Sequence, residues 1–530
     1  MTSTTLAPAA APAIDAPLSL KQWFVLAVLC FTILLISLDQ TVLNIALPTL
    51  VKDLHPTNSG LEWIVDSYTL TQAVLLVFSG ALGDRFGRRK MFVIGCALFG
   101  GGSLGCALVH TTWSLVAMRV VTGLGAAGLM PATLAIIVAT FEGHHRARAI
   151  GIWAGIGGIG GAAGPILGGV LLQHFWWGSV FLINVPIAVI AIIGALYAIT
   201  ETRALNPSPI DPVGVVLSAG GLTALTYALI VAPSEHWGSR IVLGGIGGSL
   251  VLLNAFFSWD TRRDDPLIDL GLFRNPGFSA GIAAVSAMFF AMFSVSFLLS
   301  QYIQFIQGMS VLSVGLSFAP MAIGNLIASN LSSRVAHHFG LRNAVLAGMG
   351  LVIVGLGLFT TAVSTTSGFL LVGIAFTCVG SGMGLAIAPA SNAVVSVLPE
   401  AKVGVGSGLR SMVQWLGGSF GVAIVGTLAT SHYRSQVDAA YDGPLRAVPP
   451  AQRHAISEQI GQAVIAARHL PTDVAARVQS VSSHAFVDGL RLATLIGLLV
   501  TATAAVAVAV FLPKDLEIDE EEVKLSSAAA

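Results

Sequence analysis

The stretch Gly80–Lys90, GALGDRFGRRK, gathers five charged residues between two apolar runs. The runs, residues 61–83 and 91–109, each have roughly the 20 residues with which a helix crosses a hydrocarbon core. A short, strongly basic segment between two such runs is typical of a loop at a membrane surface. The stretch therefore predicts two spanning helices joined at the membrane surface, and excludes a pair of core helices of a soluble domain.

Composition extends this interpretation to the whole chain. Of 530 residues, 55% are hydrophobic and 10% are charged, whereas about a quarter of the residues of a soluble domain are charged. We predict an all-α membrane protein with fourteen spans, at residues 23–47, 61–83, 91–109, 113–140, 147–172, 177–199, 213–232, 240–258, 278–303, 312–332, 343–363, 368–395, 405–430 and 489–512.

The distribution of basic residues predicts the orientation. With both termini cytoplasmic, the inner loops hold fourteen Lys and Arg residues, while the short outer loops hold Lys52 and Arg240. Cytoplasmic loops carry the excess of positive charge in multi-pass proteins. We therefore expect a multi-pass protein of the cell membrane with both termini in the cytoplasm. A faint internal repeat, Asp84–Arg89 after the second span and His337–Arg342 after the tenth, indicates two related halves.

Three motifs resemble those of the major facilitator superfamily. The loop between spans two and three resembles the signature loop of that family. Arg119 near the start of span four, followed by Gly123, Gly125, Gly128 and Pro131, is similar to the family's buried-arginine motif. Span five matches all six fixed positions of the family's antiporter motif. The loop residues are Gly80, Asp84, Arg85, Gly87, Arg88 and Arg89, and the antiporter positions are Gly151, Gly160, Gly164, Pro165, Gly168 and Gly169.

Further stretches resemble the fourteen-span drug:proton antiporters of the QacA/EmrB-like group. They are DQTVLNIALP (39–48), WIVDSYTL (63–70) and FLINVP (181–186). The resemblance implies a major facilitator fold of two six-helix bundles plus two additional linker helices. The expected domains are residues 1–204 for the tail and first bundle, 205–265 for the two added helices, and 266–530 for the second bundle with an acidic cytoplasmic tail.

Few charges lie well inside the predicted spans. These few charges are Asp39, Asp66 and Arg119, while Glu62 is expected at the outer mouth. At 1.5 Å per residue, Asp39 and Asp66 lie ~12 Å and ~8 Å below the outer ends of their spans, and Arg119 ~9 Å. The three charges are therefore expected at similar depth.

Such a cluster suits proton coupling. Burial favours the neutral form of a carboxyl group and a nearby arginine favours the charged form, so a balanced site can load and release protons. We assign Asp39, Asp66 and Arg119 to proton coupling, without deciding which acid carries the proton. The alternative is a structural ion pair, which explains one acid more easily than two.

The other motifs have structural as well as functional interpretations. The loop around Asp84 either anchors a turn or forms an ion-pair latch between the halves, and the glycines of span five either allow tight packing or form a seam along which the halves move. Aromatic walls suit bulky cations, so Trp63, Tyr68 and Trp153 are candidates for a substrate cavity, with simple packing as the alternative.

A long outer segment, residues 431–488, is expected to form an extracellular helical hairpin. Ile456, Ile460 and Val464 recur at helical spacing before Pro471, and Val474, Val478 and Val481 recur after it. This pattern predicts two short helices around a turn, both outside the membrane.

These observations predict a proton-coupled multidrug efflux antiporter that exports hydrophobic, cationic compounds. The alternatives are an exporter of one endogenous metabolite, lipid or antibiotic, and a receptor or scaffold that does not transport. We expect no enzyme activity, cofactor, metal site or nucleic-acid partner, because the sequence offers neither a nucleophile–base set nor a ligand cluster. The chain is expected to function as a monomer in the lipid bilayer.

Overall fold

The computed structural model of the protein describes residues 18–141, 143–203, 211–263, 266, 270–396 and 403–512. The predicted N-terminal tail up to residue 17 and the acidic tail after residue 512 lie outside these residues. Regular structure in the described ranges is helical throughout. The α-helices are α1 (Leu20–Leu54), α2 (Asn58–Phe86), α3 (Arg88–Leu108), α4 (Thr112–Thr140), α5 (Gly143–His174), α6 (Ser179–Leu182), α7 (Asn184–Ala198), α8 (Pro212–Glu235), α9 (Arg240–Asp260), α10 (Pro276–Gln301), α11 (Val311–Ser317), α12 (Ala319–Phe339), α13 (Leu341–Ala362), α14 (Phe369–Ser396), α15 (Val403–Ala440), α16 (Pro450–Glu458), α17 (Ile460–Ala467) and α18 (Thr472–Phe511).

The number of spans agrees with the prediction. In the described residues, thirteen helical spans are long and apolar enough to cross a membrane. The helix α2, whose segments Asn58–Leu76 and Phe78–Phe86 are bent by 54°, brings the number to fourteen. The short helices α6 and α11 each join the following helix to complete one span. The predicted all-α membrane architecture is thus confirmed.

The spans pack into two bundles and an attached pair. Helices α1 to α7 form the first bundle, with α1 against α5, α2 against α4, and α3 against α4 and α7. Helices α10 to α15 and α18 form the second, and α8 and α9 pack on each other. Of this pair, α8 contacts α2 and α15. The two bundles meet chiefly where α2 packs on α15 and α5 packs on α11.

The two halves turn in the same way after their second span. Gly87 separates α2 from α3 with φ 119°, and Gly340 separates α12 from α13 with φ 85°. Side chains strain the backbone in this left-handed region, so glycine is favoured at both turns. The faint sequence repeat therefore corresponds to a repeated turn in the structure.

The outer segment differs from the expected hairpin. Helix α15 continues to Ala440, and α18 begins at Thr472 and runs without interruption to Phe511. The second predicted short helix is thus continuous with the last span in one helix, because Val474 and Val478 continue the buried face of α18. We call residues 441–471, which contain α16 and α17, the cap. The end of the molecule that carries the cap is the cap end, and the opposite end, with Arg88, is the basic end.

The cap joins the two bundles. Tyr433 Oη at the end of α15 donates to the Ile456 carbonyl oxygen at 2.8 Å, and Gln459 Nε2 donates to the Pro56 carbonyl oxygen between α1 and α2 at 2.6 Å. Deeper at the same end, Asn58 of α2 hydrogen-bonds to Thr430 of α15. The bundles are therefore held together at the cap end.

Candidate functional site

A buried ion pair links the first and fourth spans. Arg119 Nη1 of α4 lies 2.6 Å from Asp39 Oδ2 of α1, and both side chains are 1% exposed. The other carboxylate oxygen, Asp39 Oδ1, accepts a hydrogen bond of 2.9 Å from Asn184 Nδ2 at the start of α7. Three helices thus converge on one carboxylate, and Asp39 has a partner for each of its oxygens.

Arg119 is also engaged on its other sides. Its Nε donates to the Ile64 carbonyl oxygen at 3.3 Å, and its guanidinium carbon lies 4.3 Å from the ring centroid of Tyr68 and 5.8 Å from that of Phe181. Aromatic faces attract desolvated cations. Charge pairing, a backbone carbonyl and two rings therefore hold this guanidinium inside the first bundle.

Asp66 has a different environment. It is 0% exposed on α2, and within the described residues neither carboxyl oxygen has a hydrogen-bond partner. The Ser419 side chain of α15 lies beside its carboxyl group, and the Ser419 hydroxyl, also fully buried, has no partner of standard geometry in the same ranges. Asp66 therefore lies at the contact between the two bundles, without a counterion there.

Glu62, expected at the outer mouth, lies one helical turn from Asp66 near the start of α2 and is 1% exposed. It is buried because α15 packs over it at the cap end: a Cβ atom at Gly426 would lie 2.6 Å from Glu62 Oε1. Its Oε2 has no hydrogen-bond partner in the described ranges. In the described helices of the first bundle, Glu62 is thus a third buried acid beside Asp39 and Asp66, and the sequence did not indicate its burial.

The predicted cluster of three charges divides into two parts. Depth arithmetic correctly brought Asp39 and Arg119 together, and they form the pair that the structural alternative described. Asp66 belongs to the other part, beside α15. Asn184 and Ser419 were not singled out, because an uncharged polar residue in a span gives a weak signal on its own.

The basic loop is held within the first bundle. Arg88 Nη2 lies 2.9 Å from Asp84 Oδ1, and the backbone N–H groups of Arg89 and Lys90 donate to the carboxylate of Glu201 after α7 at 3.0 and 3.2 Å. Glu201 therefore caps the start of α3, a role absent from the sequence prediction. Of the remaining loop positions, Gly80 lies near Pro131, Arg85 is exposed, and Gly87 forms the turn.

The glycine motif of α5 faces both α1 and the second bundle. Gly160 and Gly168 lie close against α1, where added Cβ atoms would come 2.9 Å from Ser37 and 3.1 Å from Val42. Gly169 faces α11, where a Cβ atom would lie 3.1 Å from Leu312 Cα. Of the other motif positions, Gly164 packs on Thr41, Pro165 lies inside α5 beside Gly315, and Gly151 lies near the start of the helix. The motif thus packs tightly on α1 and contacts α11 of the second bundle, while movement along this contact stays a prediction.

The three predicted cavity aromatics lie in different surroundings. Trp63 packs with Ile230 and Ala423, and its ring lies 6.4 Å from that of Tyr227 on α8. In this structure the added helix pair covers it, as the packing alternative describes. Tyr68 is fully buried beneath Arg119. Trp153 is half-buried on α5, and its Nε1 lacks a hydrogen-bond partner in the described ranges.

Comparison with known proteins assigns the family. The sequence profile described as Major Facilitator Superfamily matches residues 29–422. The chain belongs to the major facilitator superfamily. It is therefore a multi-pass membrane transporter by family, as predicted, and not an enzyme.

Similar proteins cover almost the whole chain. The multidrug efflux pump LfrA of Mycolicibacterium smegmatis is 34% identical over 92% of this chain and 95% of its own length. The tetracenomycin C resistance and export protein of Streptomyces glaucescens is 32% identical over 92% and 91%. The methyl viologen resistance protein SmvA of Salmonella typhimurium is 30% identical over 88% and 93%.

Solved structures of the family share the fold. A bacterial homologue of the human lysosomal transporter Spinster, in an inward-facing unoccupied conformation, aligns with a TM-score of 0.64 at 16% identity, covering 95% of this chain and all of its own. The D-xylose–proton symporter aligns with a TM-score of 0.58 at 13% identity, covering 93% of this chain and 98% of its own. At these identities the likeness shows the fold alone.

Proposed function

We propose that this protein is a proton-coupled efflux antiporter for hydrophobic, cationic drugs, and that Asp66 carries the coupled proton. The observation that carries this proposal is the contrast between the two acids. Asp39 is paired with Arg119 and accepts a hydrogen bond from Asn184, whereas Asp66 is equally buried with no counterion in the described residues. An isolated buried carboxylate is so unfavourable that such a group neutralises by taking up a proton.

The position of Asp66 suits exchange. It lies where α2 meets α15, so movement of one bundle against the other changes its surroundings. The bundles are closed at the cap end, and opening there would separate Asp66 from Ser419 and admit water. In the proposed cycle, a cation from the cytoplasm binds the ionised carboxylate and the carrier opens outward. An external proton then displaces the cation, and the protonated carrier returns.

The Asp39–Arg119 pair has a supporting part in this cycle. It ties α1, α4 and α7 together near the carbonyl of Ile64, two residues before Asp66. The first bundle can then move as one body while Asp66 changes its protonation state. The names of the relatives, a multidrug efflux pump and a methyl viologen resistance protein, support export of such cations.

The proposed orientation follows the basic residues. The basic end and both termini face the cytoplasm and the cap faces outward, in a bacterial cell membrane. The excess of Lys and Arg in the loops of the basic end supports this orientation. We further propose that one chain is sufficient for transport, because Asp66 lies between the two bundles of a single chain.

Transport in proteoliposomes tests the proposal. A fluorescent cation is offered to vesicles with an acidic lumen, and wild type is compared with Asp66→Asn and with Asp53→Asn, an exposed acid of α1 at the cap end. We expect Asp66→Asn to abolish pH-driven uptake and Asp53→Asn to behave as wild type. Undiminished transport by Asp66→Asn at equal protein content would refute the assignment.

A second candidate function is export of one antibiotic by the same exchange. The similarity to the tetracenomycin C resistance and export protein favours it. A panel of unrelated cations, neutral compounds and polyketide-type antibiotics in the same vesicles distinguishes the two functions. Transport of several unrelated cations supports multidrug export, and transport of one compound class supports the narrower function.

A further inference from the structure

We propose that Glu62 is a second exchangeable carboxyl group, so that the pair Glu62–Asp66 takes up two protons, or one doubly charged cation, in each transport cycle. This inference rests on the proposed function and deepens it by specifying the charge of the exchanged species. It assigns a role to a residue that no sequence motif described above includes.

The two acids share one face of α2. They are four residues apart, which places their side chains on adjacent turns of the helix, and both are at most 1% exposed. Each has at least one carboxyl oxygen without a hydrogen-bond partner in the described ranges. A buried carboxyl group without a counterion becomes neutral by holding a proton, so each acid of the pair can exchange a proton or another positive charge.

The helix opposite the pair is shaped to admit it. Gly426 of α15 leaves the space that the Glu62 carboxyl group occupies, since a Cβ atom there would come within 2.6 Å of Glu62 Oε1. About two helical turns earlier on the same face of α15, the buried Ser419 hydroxyl lies beside Asp66. The Ser419 hydroxyl and the space left by the missing side chain of Gly426 therefore face the two acids from the second bundle.

The surrounding helices add no cation to balance the pair. Residues 411–430 of α15 and 213–233 of α8 contain no charged side chain, and the titratable group that α8 presents on this side is Tyr227, against Trp63. Arg119 of α4 is committed to Asp39 of α1. With both protons lost, the pair carries two negative charges, which two protons or one dication can neutralise.

The two negative charges of the Glu62–Asp66 pair determine how transport depends on the membrane potential. Two protons exchanged for one dication move no net charge across the membrane. Two protons exchanged for one monovalent cation move one net positive charge in the direction of the protons. A potential of 100 mV therefore changes the steady-state gradient of a monovalent substrate by about fiftyfold at most, and leaves that of a divalent substrate unchanged.

Proteoliposomes with an acidic lumen provide the test, with ethidium as the monovalent probe and methyl viologen as the divalent probe. Valinomycin and external potassium set a lumen-positive potential. For wild type, we expect the potential to raise ethidium accumulation by tens of fold and to leave methyl viologen accumulation unchanged. For Glu62→Gln, we expect ethidium accumulation that no longer depends on potential, and loss of methyl viologen exchange. Glu62→Asp keeps the carboxyl group and should retain both wild-type behaviours.

The outcomes separate this inference from the proposed function. Ethidium accumulation that is driven by pH but independent of potential in wild type overturns the two-proton pair, whatever the folding of the variants. Unchanged potential dependence in Glu62→Gln overturns the role of Glu62 while leaving Asp66 as the proton site. Absence of any pH-driven exchange in wild type overturns the proposed function itself.

Discussion

Breaking the Asp39–Arg119 pair should destabilise the protein strongly. In Arg119→Met, Asp39 keeps the 2.9 Å hydrogen bond from Asn184 but loses its 2.6 Å ion pair. The variant also removes the contact with the face of Tyr68. An unpaired charge left in a buried site costs about 3–5 kcal/mol, so we expect a loss of that size in the free energy of unfolding.

Removing both charges should restore much of that loss. In the double variant Asp39→Asn/Arg119→Met, no buried charge is left unpaired, and contacting residues commonly show coupling energies of about 0.5–3 kcal/mol. We expect coupling of about 2 kcal/mol or more, because the pair is almost completely buried. The matched control is Arg491→Met, which removes a pair of 3.4 Å that is 39% and 41% exposed. Such a surface pair contributes at most about 1 kcal/mol.

The assay is equilibrium unfolding in mixed micelles with increasing SDS, followed by helical circular dichroism. The expected order of stability is wild type and Arg491→Met, then the double variant, then Arg119→Met. The single variant Asp39→Asn completes the cycle. A double variant whose loss equals the sum of the losses in Asp39→Asn and Arg119→Met, within about 0.5 kcal/mol, would refute the reasoning that Asp39 and Arg119 act as a structural pair.

Three further predictions concern the motifs and the cap. Gly169→Ala should lower transport several-fold, because the added methyl group meets the backbone of α11. The control Gly161→Ala, whose methyl group faces open space, should transport normally. Equal activity of the two variants would argue against a seam at Gly169. Gln459→Ala removes the hydrogen bond between the cap and the first bundle. Alkylation of a cysteine introduced at Thr430 should then become faster, and an unchanged rate would show that the cap does not hold the bundles together. Asp84→Asn should reduce transport while expression stays normal, and equal loss of both would remove the latch hypothesis.

The architecture could be predicted from the sequence because its signals are strong over long ranges. Apolar runs near 20 residues gave the spans, and the loop Gly80–Lys90 gave the turn after the second one. Helix α18 begins directly after Pro471, where the sequence indicated a helix start, but the break expected before residue 489 is absent, because Ser482 and Ala485 continue the buried face of the helix.

The candidate site could be predicted only in part. Depth along a helix follows from counting residues, and this correctly placed Asp39 beside Arg119. The direction in which a side chain points depends on the neighbouring helix, which sequence alone does not supply. The burial of Trp63 against α8 and of Glu62 against α15 could therefore not be predicted.

Proton release on substrate binding tests the assignment of the coupled proton most directly. Purified protein in weakly buffered detergent solution is mixed with ethidium, and a pH indicator counts the protons released per bound cation. We expect release by wild type and by the neutral pair variant Asp39→Asn/Arg119→Met, and at least one proton fewer from Asp66→Asn. Full release from Asp66→Asn, together with none from the folded pair variant, would contradict the assignment and make Asp39 the proton carrier.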